Sequence, residues 1–119
     1  MSMDRAALRA VFETASNPKP VKTKVAGLGT VYIAVQTAFS ADEAAKQLEQ
    51  HAKPDGLDIG RRLAAVICDE EGAPLFDIAN DEDVRVLAKL KSSAIVKLFN
   101  AANKANSVEL VEGEEPGNE

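Results

Sequence analysis

The stretch Val21-Lys22-Thr23-Lys24-Val25-Ala26-Gly27-Leu28-Gly29-Thr30-Val31-Tyr32-Ile33-Ala34-Val35 decides the fold class. Val21–Val25 alternates apolar or β-branched residues with lysine, and Thr30–Val35 is rich in β-branched and aromatic residues. Such alternation suits half-buried strands. Between them, Ala26–Gly29 is a glycine-containing turn of the length that closes a hairpin. The pattern predicts Val21, Thr23 and Val25 on one face opposite Val31, Ile33 and Val35, with Lys22 and Lys24 turned to solvent at the edge. The segments on either side have mostly helical spacing. The expected fold is therefore α+β and helix-rich: a single small domain with an N-terminal helix, a β-hairpin and a C-terminal helix pair.

Before the hairpin, Leu8, Val11, Phe12 and Ala15 recur at i, i+3, i+4, i+7, which predicts a helix over residues 4–15 with Asp4 as its N-cap. Asn17-Pro18-Lys19-Pro20 ends it, because a proline disfavours the helical region for the residue before it. After the hairpin, Ser40 and Glu43 form a capping-box pattern, so a helix is expected over 41–52, closed by Pro54-Asp55-Gly56. The run Leu63-Ala64-Ala65-Val66-Ile67-Cys68 suits a buried helix or a strand equally well. The favoured reading is a helical start at Ile59–Ala64 running into a short hairpin, VICD against PLFD. In the last third, Asn80 or Asp81 caps a helix over 81–90 whose first turn holds Asp81, Glu82 and Asp83, where the helix dipole favours acids. Ser92-Ser93 offers a fresh cap, and Ile95, Leu98, Phe99 and Ala102 predict a helix over 93–106. The short connection predicts that these two helices pack as neighbours.

The chain has 119 residues, 45% of them apolar and 28% charged, ordinary values for one globular domain. Residues 1–106 are expected to form that domain, and the acidic, Gly- and Pro-containing stretch 107–119 a disordered tail. Net charge is −5, and the four glutamates of the closing EGEEPGNE account for most of it; removing them leaves −1. No overall basic footprint is present and aromatics are only 4%, so nucleic acid is not an expected partner. No run approaches the roughly 20 apolar residues that span a bilayer, and the N-terminus lacks the apolar core of a secretory signal. No membrane association is expected, and one cysteine leaves no disulfide framework.

Candidate chemistry is sparse. Cys68 has only His51 as a possible base. It reads more simply as a small buried hydrophobe, and His51 as a residue closing a helix. Asp69-Glu70-Glu71 and Asp81-Glu82-Asp83 lack the alternating ligands and central glycine of a calcium loop. Gly27 and Gly29 lack the G-K-[ST] of a phosphate loop. No catalytic residue, metal ligand or cofactor is therefore expected. Arg85, Lys89, Lys91, Lys97 and Lys104 on the terminal helix pair suggest an alternative, a small DNA-binding regulator, with a solvated lysine face as the simpler account.

Two stretches carry a resemblance. MSMDRAALRAVFETASNPKPVKTKVAGLGTVYI pairs a short helix with a hairpin, and RRLAAVICDEEGAPLFDIANDEDVRVLAKLKSSAIVKLFNAANKAN adds a helical second half. Together, over roughly residues 4–106, they resemble the tail assembly chaperones of long-tailed, siphovirus-type phages and prophages. The middle, Thr37–Gly56, matches nothing in that pattern. The resemblance implies a non-enzymatic assembly factor in the host cytoplasm that binds the tape-measure protein, recruits tail-tube subunits and is absent from the mature virion. It also implies that a frameshifted longer form exists in many members and that copies self-associate, for which a head-to-tail contact is expected. Candidate protein-contact residues are Leu8, Val11 and Phe12 on the first helix and Val31, Tyr32, Ile33 and Val35 on the hairpin; a free hairpin edge can pair with another chain.

Overall fold

Strands β1 (Val21–Val25) and β2 (Gly29–Ile33) pair antiparallel with Val21 opposite Ile33, Thr23 opposite Val31 and Val25 opposite Gly29. This register, seen in a computed structural model that describes residues 4–107, puts Val21, Thr23, Val25, Val31 and Ile33 on one face and Lys22 and Lys24 in solvent, as the alternation predicts, whereas Val35 lies beyond the end of β2. The turn is one residue shorter than expected, because Gly29 already pairs in β2. Gly27 and Gly29 take φ of 90° and 86°, a region open to glycine and strained for other residues.

The elements run α1 (Arg5–Ala15), β1, β2, α2 (Ala38–Gln50), α3 (Asp58–Val66), β3 (Ile67–Cys68), α4 (Asp81–Ala88) and α5 (Ser92–Asn106). The class is α+β, with one antiparallel sheet in the order β1-β2-β3. The core gathers Val25 and Ile33 from the hairpin, Leu63, Ala64 and Ile67 from α3–β3, Leu87 from α4, and Ile95, Leu98 and Ala102 from α5. The tail expected over 107–119 lies outside the described residues apart from Ser107.

Several expectations need correction. Helix α2 starts at Ala38, not Ala41, because Thr37 and Ser40 form the capping box: the Thr37 hydroxyl accepts from the Ser40 N–H at 3.1 Å, and the Ser40 hydroxyl accepts from the Thr37 N–H at 2.9 Å. Glu43 then falls in the second turn and caps nothing. Helix α5 begins at Ser92 with Lys91 in the cap position and no side-chain cap, so Ser92-Ser93 is not a cap pair. The run Leu63–Cys68 divides: α3 continues to Val66, and Ile67–Cys68 becomes a strand. That strand pairs with β2, Tyr32 opposite Cys68 and Ile33 opposite Ile67. The expected VICD/PLFD hairpin shrinks to one bridge, Cys68 with Pro74.

The terminal helices also pack differently from the expectation. α4 packs mainly against α3, and α5 against β1, β2 and α3. Gly60 on α3 makes the first contact close, since a side chain there would overlap the Val84 carbonyl oxygen. Two ion pairs fix the loop before α3. Arg61, 1% exposed, grips the Asp55 carboxylate with both terminal guanidinium nitrogens, and Lys53 reaches Asp81 at 3.3 Å. At the other end of the molecule's fold, Asn106 ties α5 to the segment after β2. Its amide donates to the Ala34 and Ala102 carbonyls at 3.1 and 3.0 Å, and its oxygen accepts from the Gln36 N–H at 2.7 Å.

Candidate protein-interaction surface

Helix α1 forms for local reasons. The Asp4 carboxylate accepts from the Ala7 N–H at 2.8 Å, capping the first turn as expected. The Ser16 N–H returns to the Phe12 carbonyl at 2.9 Å and closes the last turn. Arg9 and Glu13 pair along the helix at 3.2 Å. What the helix lacks is tertiary cover: none of its residues is buried. Leu8, Val11 and Phe12 are 48%, 54% and 75% exposed, so an apolar stripe faces outward. Stripes of this spacing normally pack on a core, and this one is left bare.

The hairpin candidates sit differently. Ile33 is completely buried and serves the chain's own core. Val31, Tyr32 and Val35 are half-buried. Strand β3 covers β2 at Tyr32 and Ile33, so β2 is interior there and β1 is the free edge, guarded by Lys22 and Lys24.

A broad groove of about 750 Å³ opens between α2 and the 71–78 loop. Exposed Phe39 and Leu75 stand in its walls, and Ser16–Pro18, the root of the α1 arm, reach its rim. Neither aromatic Phe39 nor this groove was among the sequence candidates. Phe39 lies in the first turn of α2, which the Ser40 cap reading had placed outside the helix.

The reactive residues have local structural roles. Cys68 is buried, its thiol donating to the Tyr32 carbonyl at 3.7 Å; burial, and then the Asp69 carboxylate, push its pKa up and hold it protonated. His51 closes α2 through its backbone N–H to Gln47 at 3.0 Å. Asp69 supports its own turn, accepting from the Glu71 and Ala73 N–H groups, both at 2.9 Å. Asn80 caps α4 by accepting from Asp83 at 3.0 Å. Among the described residues no three His, Cys, Asp or Glu side chains come together as a metal site, and no helix is long and apolar enough to cross a membrane. Arg85 lies on α4, Lys89 at its C-cap, Lys91 at the cap before α5 and Lys97 and Lys104 on α5, and α4 packs chiefly on α3. α4 and α5, the pair that the DNA-binding alternative invokes, are therefore not each other's main packing partners.

A family model described as "Phage tail assembly chaperone, TAC" matches residues 6–106, spanning α1 through the end of α5. The chain belongs to the phage tail assembly chaperone family. No curated protein and no solved structure matches it significantly. For a tail assembly chaperone, an uncovered apolar helix and an uncovered groove are the features of interest, since such a protein works through contacts with other proteins.

Proposed function

We propose that this chaperone is a non-enzymatic assembly factor of the host cytoplasm that binds the tape-measure protein, recruits tail-tube subunits and leaves before the virion is complete. Membership of the family supports a role in tail assembly. The observation that carries the finer reading is the bare stripe Leu8, Val11 and Phe12 on α1. A protein that keeps long apolar helices soluble needs apolar surface its own fold does not use, and amphipathic contacts of this kind are a recurring mode of helix recognition. Half-buried Val31, Tyr32 and Val35 supply a second candidate contact beside the free β1 edge. Copies also self-associate in this reading, head to tail, because a heterologous contact builds rings or spirals instead of two-fold dimers.

Co-expression with the tape-measure protein of the same phage tests the reading. The wild-type chaperone keeps that protein soluble and co-purifies with it, whereas Phe12→Glu, at an exposed position, lowers the recovered complex at least several-fold. A tape-measure protein that stays insoluble beside folded wild-type chaperone overturns the reading.

A further inference from the structure

The free edge of β1 borders a recess of about 550 Å³ between that strand and the end of α5. Val21 and Lys22 line one side, and Ala101, Lys104 and Ala105 the other. Val21 is apolar yet 39% exposed. No acid is among the described lining residues, and neither Lys22 nor Lys104 makes an ion pair among the described residues. The recess therefore suits an extended segment that alternates apolar side chains with carboxylates and brings backbone groups to the open edge. The chain supplies one at that place. Asn106 binds Ala34 and Gln36, just past Ile33, and Ile33 stands opposite Val21, so α5 ends beside the Val21 end of β1. From Ser107, itself in the wall of the recess, the sequence continues outside the described residues as Val108-Glu109-Leu110-Val111-Glu112. Its apolar and β-branched residues suit a strand. Four residues in a strand advance roughly 13 Å, enough to run beside β1 from Val21 to Lys24. The α2/71–78 groove is the poorer host for this segment, because Glu43, Glu71, Asp77 and Asp83 lie around it and repel its glutamates.

We propose that residues 108–111 add to the β1 edge of their own chain as a fourth strand, with Val108 and Leu110 laid over Val21 and the alanines of α5 and Glu109 beside Lys22. The new strand runs parallel to β1, because it starts at the Val21 end. In a strand, successive side chains take opposite faces. Val108 and Leu110 on the face of Val21 and Thr23 thus leave Glu109 on the face of Lys22 and Lys24. No linker separates the segment from α5, so its effective concentration at the edge is high. The added strand seals an edge that is otherwise open to other chains, and a partner strand gains β1 only by displacing it. The proposal does not depend on the assembly role. It confines the disorder expected from residue 107 to the stretch after Val111.

Amide hydrogen exchange of the full-length chain, resolved to single residues of β1, tests it. Alternate amides of an edge strand point away from its one neighbour, and they exchange fast unless another strand covers them. In wild type the β1 amides that β2 leaves unpaired are expected to be protected. Leu110→Asp is expected to speed their exchange at least tenfold while the core amides of Leu63 and Leu98 keep their rates, which also shows that the variant is folded; Leu110→Ser replaces it if they do not. Glu109→Lys should speed the same amides several-fold, and Lys22→Glu in the same chain should restore most of the protection. The protection should not change with protein concentration, because strand and edge belong to one chain. β1 amides that exchange at the same rate in wild type and Leu110→Asp overturn the proposal. Protection that falls on dilution overturns it by giving the edge to a second copy. Deprotection of α2 and the 71–78 loop instead of β1 in Leu110→Asp overturns it by placing the segment in the groove. Absence of rescue by Lys22→Glu overturns the pairing of Glu109 with Lys22.

Discussion

Gly60 shows how little of a close packing is visible from one residue. Nothing in Ile59-Gly60-Arg61 announces it, and glycine inside a helix is ordinarily unfavourable by about 1 kcal/mol against alanine. Its reason lies across the interface, where the Val84 carbonyl occupies the space a methyl group would need. Gly60→Ala should therefore lower stability despite its better helix propensity, by roughly 1–3 kcal/mol as overpacked sites do, read as a drop in melting temperature. Asp55 yields a second expectation. The Arg61 guanidinium, and then the Leu57 N–H, hold its pKa at about 2 against the usual 3.8. A carboxylate depressed on folding stabilises the native state above its unfolded pKa and loses that contribution as pH falls through the folded one. The pair's contribution is thus complete at neutral pH and disappears between about pH 4 and about pH 2. Asp55→Asn should melt lower at pH 7 and show a shallower loss over that acid range than wild type. Of the single-residue assignments, the Asp4 and Asn80 caps were legible because each acts within its own next turn.

At the scale of elements, legibility followed the range of the interaction. The hairpin and the facing of its residues came from alternation and a glycine turn, both local, whereas the register, with Gly29 already paired to Val25, departs from the expected four-residue turn. The run Leu63–Cys68 could not be assigned locally because its split is imposed from outside: β2 offers Tyr32 and Ile33 as partners to Cys68 and Ile67. The choice of α3 over α5 as the partner of α4 is equally non-local. The start of α2 was different, since two local capping patterns overlapped and Thr37–Ser40 prevailed over Ser40–Glu43. Replacing Thr37 with alanine should therefore cost about 1 kcal/mol, as loss of an N-cap does, while Glu43→Ala leaves the melting temperature nearly unchanged. Equal effects from the two would restore the later helix start. The candidate contact surface is half legible in the sequence: the α1 stripe is periodic, whereas its being bare depends on the rest of the fold. The groove, assembled from separate stretches of the chain, had no sequence signature.

Taken whole, the molecule distributes its buried residues unevenly. α3, β3, α4, α5 and the hairpin supply the core, whereas α1 and α2 have no buried residue. An isolated helix of fewer than about 12–15 residues is marginal in water, and α1 has 11. Such a chain need not open all at once, because regions with few buried apolar contacts open at a fraction of the global free energy. Native-state hydrogen exchange is expected to resolve two tiers, with amides of α1 and α2 exchanging orders of magnitude faster than those of Leu63, Leu87 and Leu98. Uniform protection across all five helices would contradict this. The uneven core also sets a clock on the protein's survival in a cell. A protease meets the arm and α2 first, at the rate of their local opening, so an unengaged copy is nicked there while its core is intact. Any partner that covers these helices extends the lifetime of the copy it occupies.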